Sequence, residues 1–191
     1  MLRRREKDPS VYQSRQEEGG SKLKVLETER LVLRQLSFDD AEFIVTLLND
    51  PSFLQNIGDK GVRTNADACS YLSSGPIASY ERFGFGLYLV ELKDSGDSIG
   101  ICGLLKRDEL DDVDIGFAIL PKYWSKGYAV EAALAVMAYA RKVIELNRIV
   151  AITKPDNAGS IRLLEKIGFR FEKMIKLSDE GHELKLFASD V

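Results

Sequence analysis

The sequence predicts a mixed α/β fold of the α+β kind, and three features predict it. Residues 85–91, 98–106 and 113–120 are apolar and β-branched, separated by the polar stretches 93–97 and 108–112, which is the pattern of an antiparallel meander. The apolar period then changes. Val130, Ala133, Leu134, Met137 and Ala140 fall near i, i+3, i+4, i+7 and i+10, as on one face of an amphipathic helix. The β-branched run 148–153 follows that helix, so the meander leads into one strand-helix-strand crossover.

The other elements follow in chain order. Residues 1–24 are rich in Arg, Lys, Glu, Gln, Ser and Gly with few apolar residues, and such a mixture cannot bury enough surface to offset the entropy of ordering. They are expected to form a flexible tail, with one domain from 25 to 191. Leu31, Val32 and Leu33 between Arg30 and Arg34 read as a short strand. Ser37-Phe38-Asp39-Asp40 reads as a helix start with acidic residues in its first turn, the helix running to about Asn49 before Pro51 stops it. A second helix is expected from Thr64 or Asn65 to Ser73, capped by Thr64 and broken by Ser74-Gly75-Pro76. Beyond the crossover, 157–166 is helical in pattern and ends before Gly168, the residue type expected past a helix C-terminus. Residues 169–175 and 183–187 close the chain as strands.

Composition excludes several functional classes. A chain of 191 residues with 45% hydrophobic content can build one good core. It has no run of eighteen apolar residues, and its basic N-terminus lacks a following apolar segment, so neither membrane insertion nor a signal peptide is expected and the expected compartment is the cytoplasm. Cys69 and Cys102 are the only cysteines, too few for a disulfide framework or a four-ligand metal site. Both are expected to be small buried residues, and no metal is expected. A net charge of −3 gives no overall attraction to a nucleic-acid backbone. Any anion must be captured locally.

The local device is the passage from the strand 113–120 into the helix starting at Tyr128. A helix N-terminus presents unpaired N–H groups and a positive dipole end. In Trp124-Ser125-Lys126-Gly127-Tyr128-Ala129, Gly127 lets the backbone curl close to a phosphate, Ala129 keeps the next turn slim and Lys126 adds charge. The segment has neither the Walker pattern nor Gly-x-Gly-x-x-Gly, which disfavours nucleoside triphosphates and dinucleotides.

This loop resembles the signature of the GNAT superfamily of N-acetyltransferases, Gln/Arg-x-x-Gly-x-Gly/Ala, except that Trp124 stands at the first position. That tryptophan resembles the branch that acetylates protein N-termini, ribosomal proteins included. Asn157-Ala158-Gly159-Ser160 followed by Leu163-Leu164-Glu165-Lys166-Ile167-Gly168-Phe169 is similar to the superfamily's second signature. The opening Leu26-Glu27-Thr28-Glu29-Arg30-Leu31-Val32-Leu33-Arg34 resembles the start of the same branch.

The resemblance, which covers roughly 26 to 187, implies a GNAT-like fold: a mostly antiparallel sheet flanked by helices, with the strands 113–120 and 148–153 parallel but splayed. It further implies acetyl-CoA as cosubstrate, with Ser125, Lys126, Gly127, Tyr128 and Ala129 around the phosphates. Backbone groups near Phe117, Ile119 and Leu120 would pair with the pantetheine arm as a strand would, and Asn157 would contact pantetheine or pyrophosphate, cap the following helix, or both.

Acetyl transfer from a thioester to an amine needs an unprotonated amine, a donor for the developing oxyanion and an acid for the departing thiolate. The resemblance places a carboxylate near Asp114, either the proton acceptor, directly or through water, or a strand residue facing solvent or pairing with a nearby Arg or Lys. It places a hydroxyl at Ser160, either the acid for the thiolate or a first-turn residue bonded to backbone. Where many relatives carry a tyrosine acid, this chain has Leu164. Glu131 in the first turn of the phosphate helix is read as a dipole partner. His182, the only histidine, beside Asp179, Glu180 and Gly181, is read as exposed.

At pH near 7.4 an α-amine of pKa about 7.8 is roughly a quarter neutral, and a lysine of pKa about 10.4 only about one part per thousand. A site without histidine or paired carboxylates therefore suits an α-amine, as on a protein or peptide. Polyamines, amino sugars and amino acids remain open as acceptors, the acidic residues Asp108, Glu109, Asp111 and Asp112 being able to attract a cation. A degenerate domain that binds coenzyme A without turnover, as a sensor or interaction module, is the third reading. Monomer and homodimer are both compatible with the sequence.

Overall fold

The computed structural model describes residues 23–179 and 181–190. The tail expected over 1–24 therefore lies outside the described residues, apart from Leu23 and Lys24. Lys24 already belongs to a strand, which moves the expected boundary.

Eight strands form one sheet: β1 (Lys24–Glu27), β2 (Leu31–Gln35), β3 (Leu87–Leu92), β4 (Ser98–Leu105), β5 (Val113–Ile119), β6 (Arg148–Thr153), β7 (Arg170–Ile175) and β8 (Leu184–Asp190). Their order is β1-β2-β3-β4-β5-β6-β8-β7. Every pairing is antiparallel except β5 with β6. The helices are α1 (Ala41–Leu48), α2 (Pro51–Asn56), α3 (Asn65–Leu72), α4 (Ala78–Phe83), α5 (Tyr128–Lys142) and α6 (Ala158–Lys166). The meander, the crossover helix and the terminal strands stand where the sequence predicts them. α5 buries Ala132, Ala133, Val136, Met137 and Ala140, a stripe whose small residues let it pack closely on β4 and β5.

Two helix boundaries differ from expectation, both at proline. Pro51 ends α1's pattern, yet it also starts α2: it occupies the first helical turn, where its missing N–H costs nothing, and Asp50 caps the helix by accepting from the Ser52 amide at 2.9 Å. Ser74-Gly75-Pro76 does not break the chain's helical course. Residues Ser73–Ile77 form a π-helical turn containing Pro76, which leads directly from α3 into α4. Widening the turn accommodates a ring that cannot donate to the helix ladder. Thr64 caps α3 as expected, in a reciprocal box with Asp67.

The helical segment is fastened to the sheet by a buried ion pair. Arg34 of β2 is 2% exposed. Its Nη1 donates to Asp40 Oδ2 at 2.8 Å and its Nη2 to Asp40 Oδ1 at 2.7 Å, while Nε donates to Glu91 Oε1 of β3 at 3.0 Å. Asp40 also accepts from the Ser37 amide at 2.9 Å, so one carboxylate both pairs the arginine and starts the helical segment. Removing one member strands the other in a dry environment. Asp40→Ala is expected to cost about 3–5 kcal/mol, measured as a lowered urea midpoint with an unchanged m-value.

Candidate active site

β5 and β6 pair only at Val113↔Ile149 and Asp114↔Val150. Beyond that point each keeps its other neighbour. β5 follows β4 out to Ile119↔Gly100, and β6 follows β8 out to Thr153↔Lys185. The two strands therefore separate into a wedge, opening into a cavity of about 1210 Å³. β5 and β6 line it together with residues from the helices α1 to α6.

Which backbone groups face the wedge follows from the antiparallel alternation. The Leu120 amide donates to Ile99 O at 2.9 Å, so Leu120, Ala118 and Gly116 turn their amides toward β4 while Ile119 and Phe117 turn theirs toward the gap. Leu120 has no free amide there, and its carbonyl accepts from the Tyr123 amide at 2.9 Å. The Ile119 carbonyl accepts the Trp124 indole N–H at 2.6 Å. Phe117 keeps both groups open, with no partner strand beside it.

The loop after β5 is sharply curved. Ser125 (φ 60°) and Gly127 (φ 83°) are both left-handed, and that is the region where glycine has no penalty. The amides of Ser125, Lys126, Gly127, Tyr128, Ala129 and Val130 find no backbone acceptor among the described residues. A Cβ on Gly127 would come 3.4 Å from the Arg30 guanidinium.

Arg30 explains how the loop is held. Its Nη1 donates to Lys126 O at 3.0 Å, its Nε to Glu131 Oε2 at 2.7 Å and its backbone amide to Glu131 Oε1 at 3.0 Å. Thr28 donates to the same Glu131 oxygen at 2.6 Å, and the guanidinium stacks 4.5 Å above the Tyr128 ring. Burial acts to raise the Glu131 carboxyl, but the bonds from Thr28 and Arg30 outweigh it and hold the group below the usual carboxylate range. Glu131 is thus a brace between the β1–β2 turn and the first turn of α5. Only tertiary contact assigns this role to Thr28 and Arg30, about a hundred residues earlier in the chain.

Asp114 sits at the apex of the wedge and is 1% exposed. Its Oδ2 accepts from Arg107 Nε at 2.7 Å, and its buried Oδ1 has no hydrogen-bond partner. Burial raises the carboxyl, and Arg107 together with the Ile152 amide only partly reverses this, leaving it at about 6. Asn157 caps α6: its side-chain oxygen accepts from the Ser160 amide at 3.0 Å. The Ser160 backbone is thus engaged, whereas its hydroxyl has no hydrogen-bond partner among the described residues. Both residues line the cavity, as do all the residues the sequence singles out for the site except Leu120 and Lys126.

Leu164 is 1% exposed and belongs to the core, and His182 is exposed. Cys102 is buried, with its thiol pushed up to about 12 by burial, while Cys69 is only half-buried. Of the acidic loop, Asp112 pairs with Arg148 at 2.9 Å, and the carbonyls of Leu110 and Asp111 take the Lys106 ammonium at 2.7 Å. No group of potential metal ligands occurs among the described residues. No helix among them is long and apolar enough to cross a membrane.

Residues 30–170 match the family model described as "Acetyltransferase (GNAT) domain". The chain belongs to the GNAT acetyltransferase family. This acetyltransferase is 33% identical over 149 residues to the "Uncharacterized N-acetyltransferase YnaD" of Bacillus subtilis (strain 168), covering 78% of this chain and 84% of that one. A solved GNAT-family acetyltransferase from Bacillus anthracis superposes with a TM-score of 0.71 at 29% identity, over 86% of this chain and 97% of the other. The ribosomal L7/L12 α-N-protein acetyltransferase RimL, solved with coenzyme A, superposes with a TM-score of 0.74 at 18% identity over 86% and 96%, a likeness of fold. The acetyltransferase is an acetyl-CoA-dependent N-acyltransferase, and the free amides, the left-handed Gly127 and the open edge of β5 fit that cosubstrate.

The brace has a measurable consequence. Glu131→Ala is expected to speed amide exchange in residues 124–130 while leaving exchange in β3 and β4 unchanged, as read by hydrogen-exchange mass spectrometry.

Proposed function

We propose that the acetyltransferase moves an acetyl group to a primary α-amine, as on a protein or peptide N-terminus, by direct attack within a ternary complex. The observation that carries this reading is the unpartnered buried oxygen of Asp114 at the apex of the wedge. A carboxylate that is desolvated, raised to about 6 and open on one oxygen is matched to taking a proton from an amine near neutral pH. Acetyl-CoA, when bound, supplies the thioester.

The chain's own residues supply the rest. The Phe117 edge of β5 aligns the pantetheine arm, the amides of residues 125 to 130 and the side chain of Lys126 hold the diphosphate, and the Asn157 side-chain N–H₂ bonds the arm. As the C–N bond forms and the C–S bond breaks, the amine proton passes to Asp114 Oδ1. The Ser160 hydroxyl gives its proton to the departing sulfur and is reprotonated from solvent. Proximity and orientation contribute several kcal/mol without a covalent enzyme intermediate. The basic side chains Lys60, Arg82 and Arg107 on the cavity wall disfavour polyamines and other polycationic acceptors. The open carboxylate oxygen favours an active enzyme over a silent coenzyme A sensor.

An acceptor screen that follows thiol release from acetyl-CoA tests the reading; saturable acetyl-CoA binding with no release across peptides and small amines would overturn it. Asp114→Asn is expected to lower kcat by about 10²–10⁴-fold with coenzyme A affinity unchanged. In the wild type, kcat/KM is expected to fall as pH drops through about 6, where the carboxylate takes up its proton, and the variant loses that limb. The same raised pKa carries a stability sign: the folded state holds the proton more tightly than the unfolded chain, so stability declines as pH rises from about 4 to about 6. Gly127→Glu is expected to abolish coenzyme A binding in calorimetry. Asn157→Ala is expected to weaken it, and Ser160→Ala to lower kcat alone.

A further inference from the structure

The wedge is long relative to the group that has to react at its apex. A strand rises about 3.3 Å per residue, so Asp114 lies roughly 16 Å along β5 from Ile119, beyond which the phosphate-type loop begins. Basic side chains near Asp114 are therefore out of reach of groups held at that loop. Arg107 uses Nε on Asp114, and its terminal nitrogens have no acceptor among the described residues. Lys60, in the loop between α2 and α3, forms no ion pair or hydrogen bond among them. Tyr71 of α3 presents a hydroxyl with no hydrogen-bond partner among them, and all three residues line the same cavity as Asp114.

The electrostatics agree with this placement. The lysine residue is exposed overall, yet burial of its ammonium and the like charge of Arg107 hold it below the usual lysine range. A long side chain divides in this way when its stem is wet and its tip is not. Burial raises the Tyr71 hydroxyl while Arg107 pulls it back. Two cations and a hydroxyl lining one cavity, with Arg107 bonded to Asp114 and neither cation paired with the Asp108 that also lines it, are a costly arrangement unless a ligand supplies the negative charge.

We propose that Lys60, Arg107 and Tyr71 form an anion subsite that binds a carboxylate or phosphate carried by the acceptor a few bonds from its amine. The preferred acceptors are then α-amines with a neighbouring acidic group. This inference rests on the α-amine reading above and names the substrate class within it. The subsite is the means by which the anionic part is gripped while the amine is presented to Asp114. The glycines at positions 58 (φ 114°) and 61 (φ 69°) bracket Lys60 in left-handed turns, giving its loop the sharp path that brings the lysine over the cavity.

The test pairs acceptors that differ only in charge. Glutamate and glutamine are compared as their α-carboxamides and as the first residue of otherwise identical short peptide amides, following thiol release with wild type, Lys60→Gln and Lys60→Arg. The expected result is at least a tenfold preference in kcat/KM for the glutamate member, carried by KM. The preference falls below threefold in Lys60→Gln and is kept in Lys60→Arg. The arm with the preference identifies whether the acidic group belongs to a single amino acid unit or to a peptide. Equal rates on glutamate and glutamine, or a preference that survives Lys60→Gln, overturn the subsite while leaving the α-amine reading standing. Should no amine release thiol, the α-amine reading fails, and glutarate titrated into the coenzyme A-saturated protein by calorimetry still decides the subsite. Binding that Lys60→Gln abolishes supports it, and no binding in the wild type overturns it.

Discussion

The early end of the β5–β6 pairing governs the rest of the molecule. Two residue pairs join these strands, after which each is committed to its outer neighbour, β4 or β8. A parallel pair that stopped for lack of partners would leave exposed polar backbone, a state proteins do not leave unused. Here the edge of β5 at Phe117 is open on the gap side. Among the described residues, the apex of the wedge holds the buried carboxylate oxygen without a hydrogen-bond partner, Asp114 Oδ1, and the wide side of the wedge reaches the cavity.

Two braces keep that wedge in shape from a distance. The Arg34 cluster ties the start of the α1–α4 segment to β2 and β3, so the helices that wall the cavity are referenced to the sheet. Thr28 and Arg30 tie the β1–β2 turn to Glu131 and to the Lys126 carbonyl, so the loop before α5 is referenced to the same sheet. Both braces use arginine, whose planar fork can satisfy several acceptors at fixed angles. The cavity between them needs only to be lined correctly; its position is already set by these two attachments.

Charge is distributed to match. The chain as a whole is acidic, with a net charge of −3, but the cavity wall carries Lys60, Arg82 and Arg107 against Asp108 and Asp114. The acidic loop after β4, which on sequence alone could attract a cation, is tied up in part by Arg148 and Lys106. A global balance thus says little about a local field, since interactions inside a low-dielectric cavity depend on the few groups that face it.

The sequence by itself determined the meander, the crossover, the Gly127 turn, the Thr64 cap and the Asn157 cap. Each is a local matter of side-chain period, backbone freedom or a cap within three residues of its partner. It placed the end of α1 before Pro51 correctly but missed the helix that Pro51 itself starts, and it read Pro76 as a break where a widened π turn tolerates it. Only the tertiary structure decided which amides of β5 face the gap, that Leu120 is spoken for, that Thr28 and Arg30 reach Glu131, and that Lys60, Tyr71 and Arg107 line one cavity. Those facts depend on strand pairing and on contacts between residues far apart in the chain, and no local pattern encodes the distance at which two such residues meet.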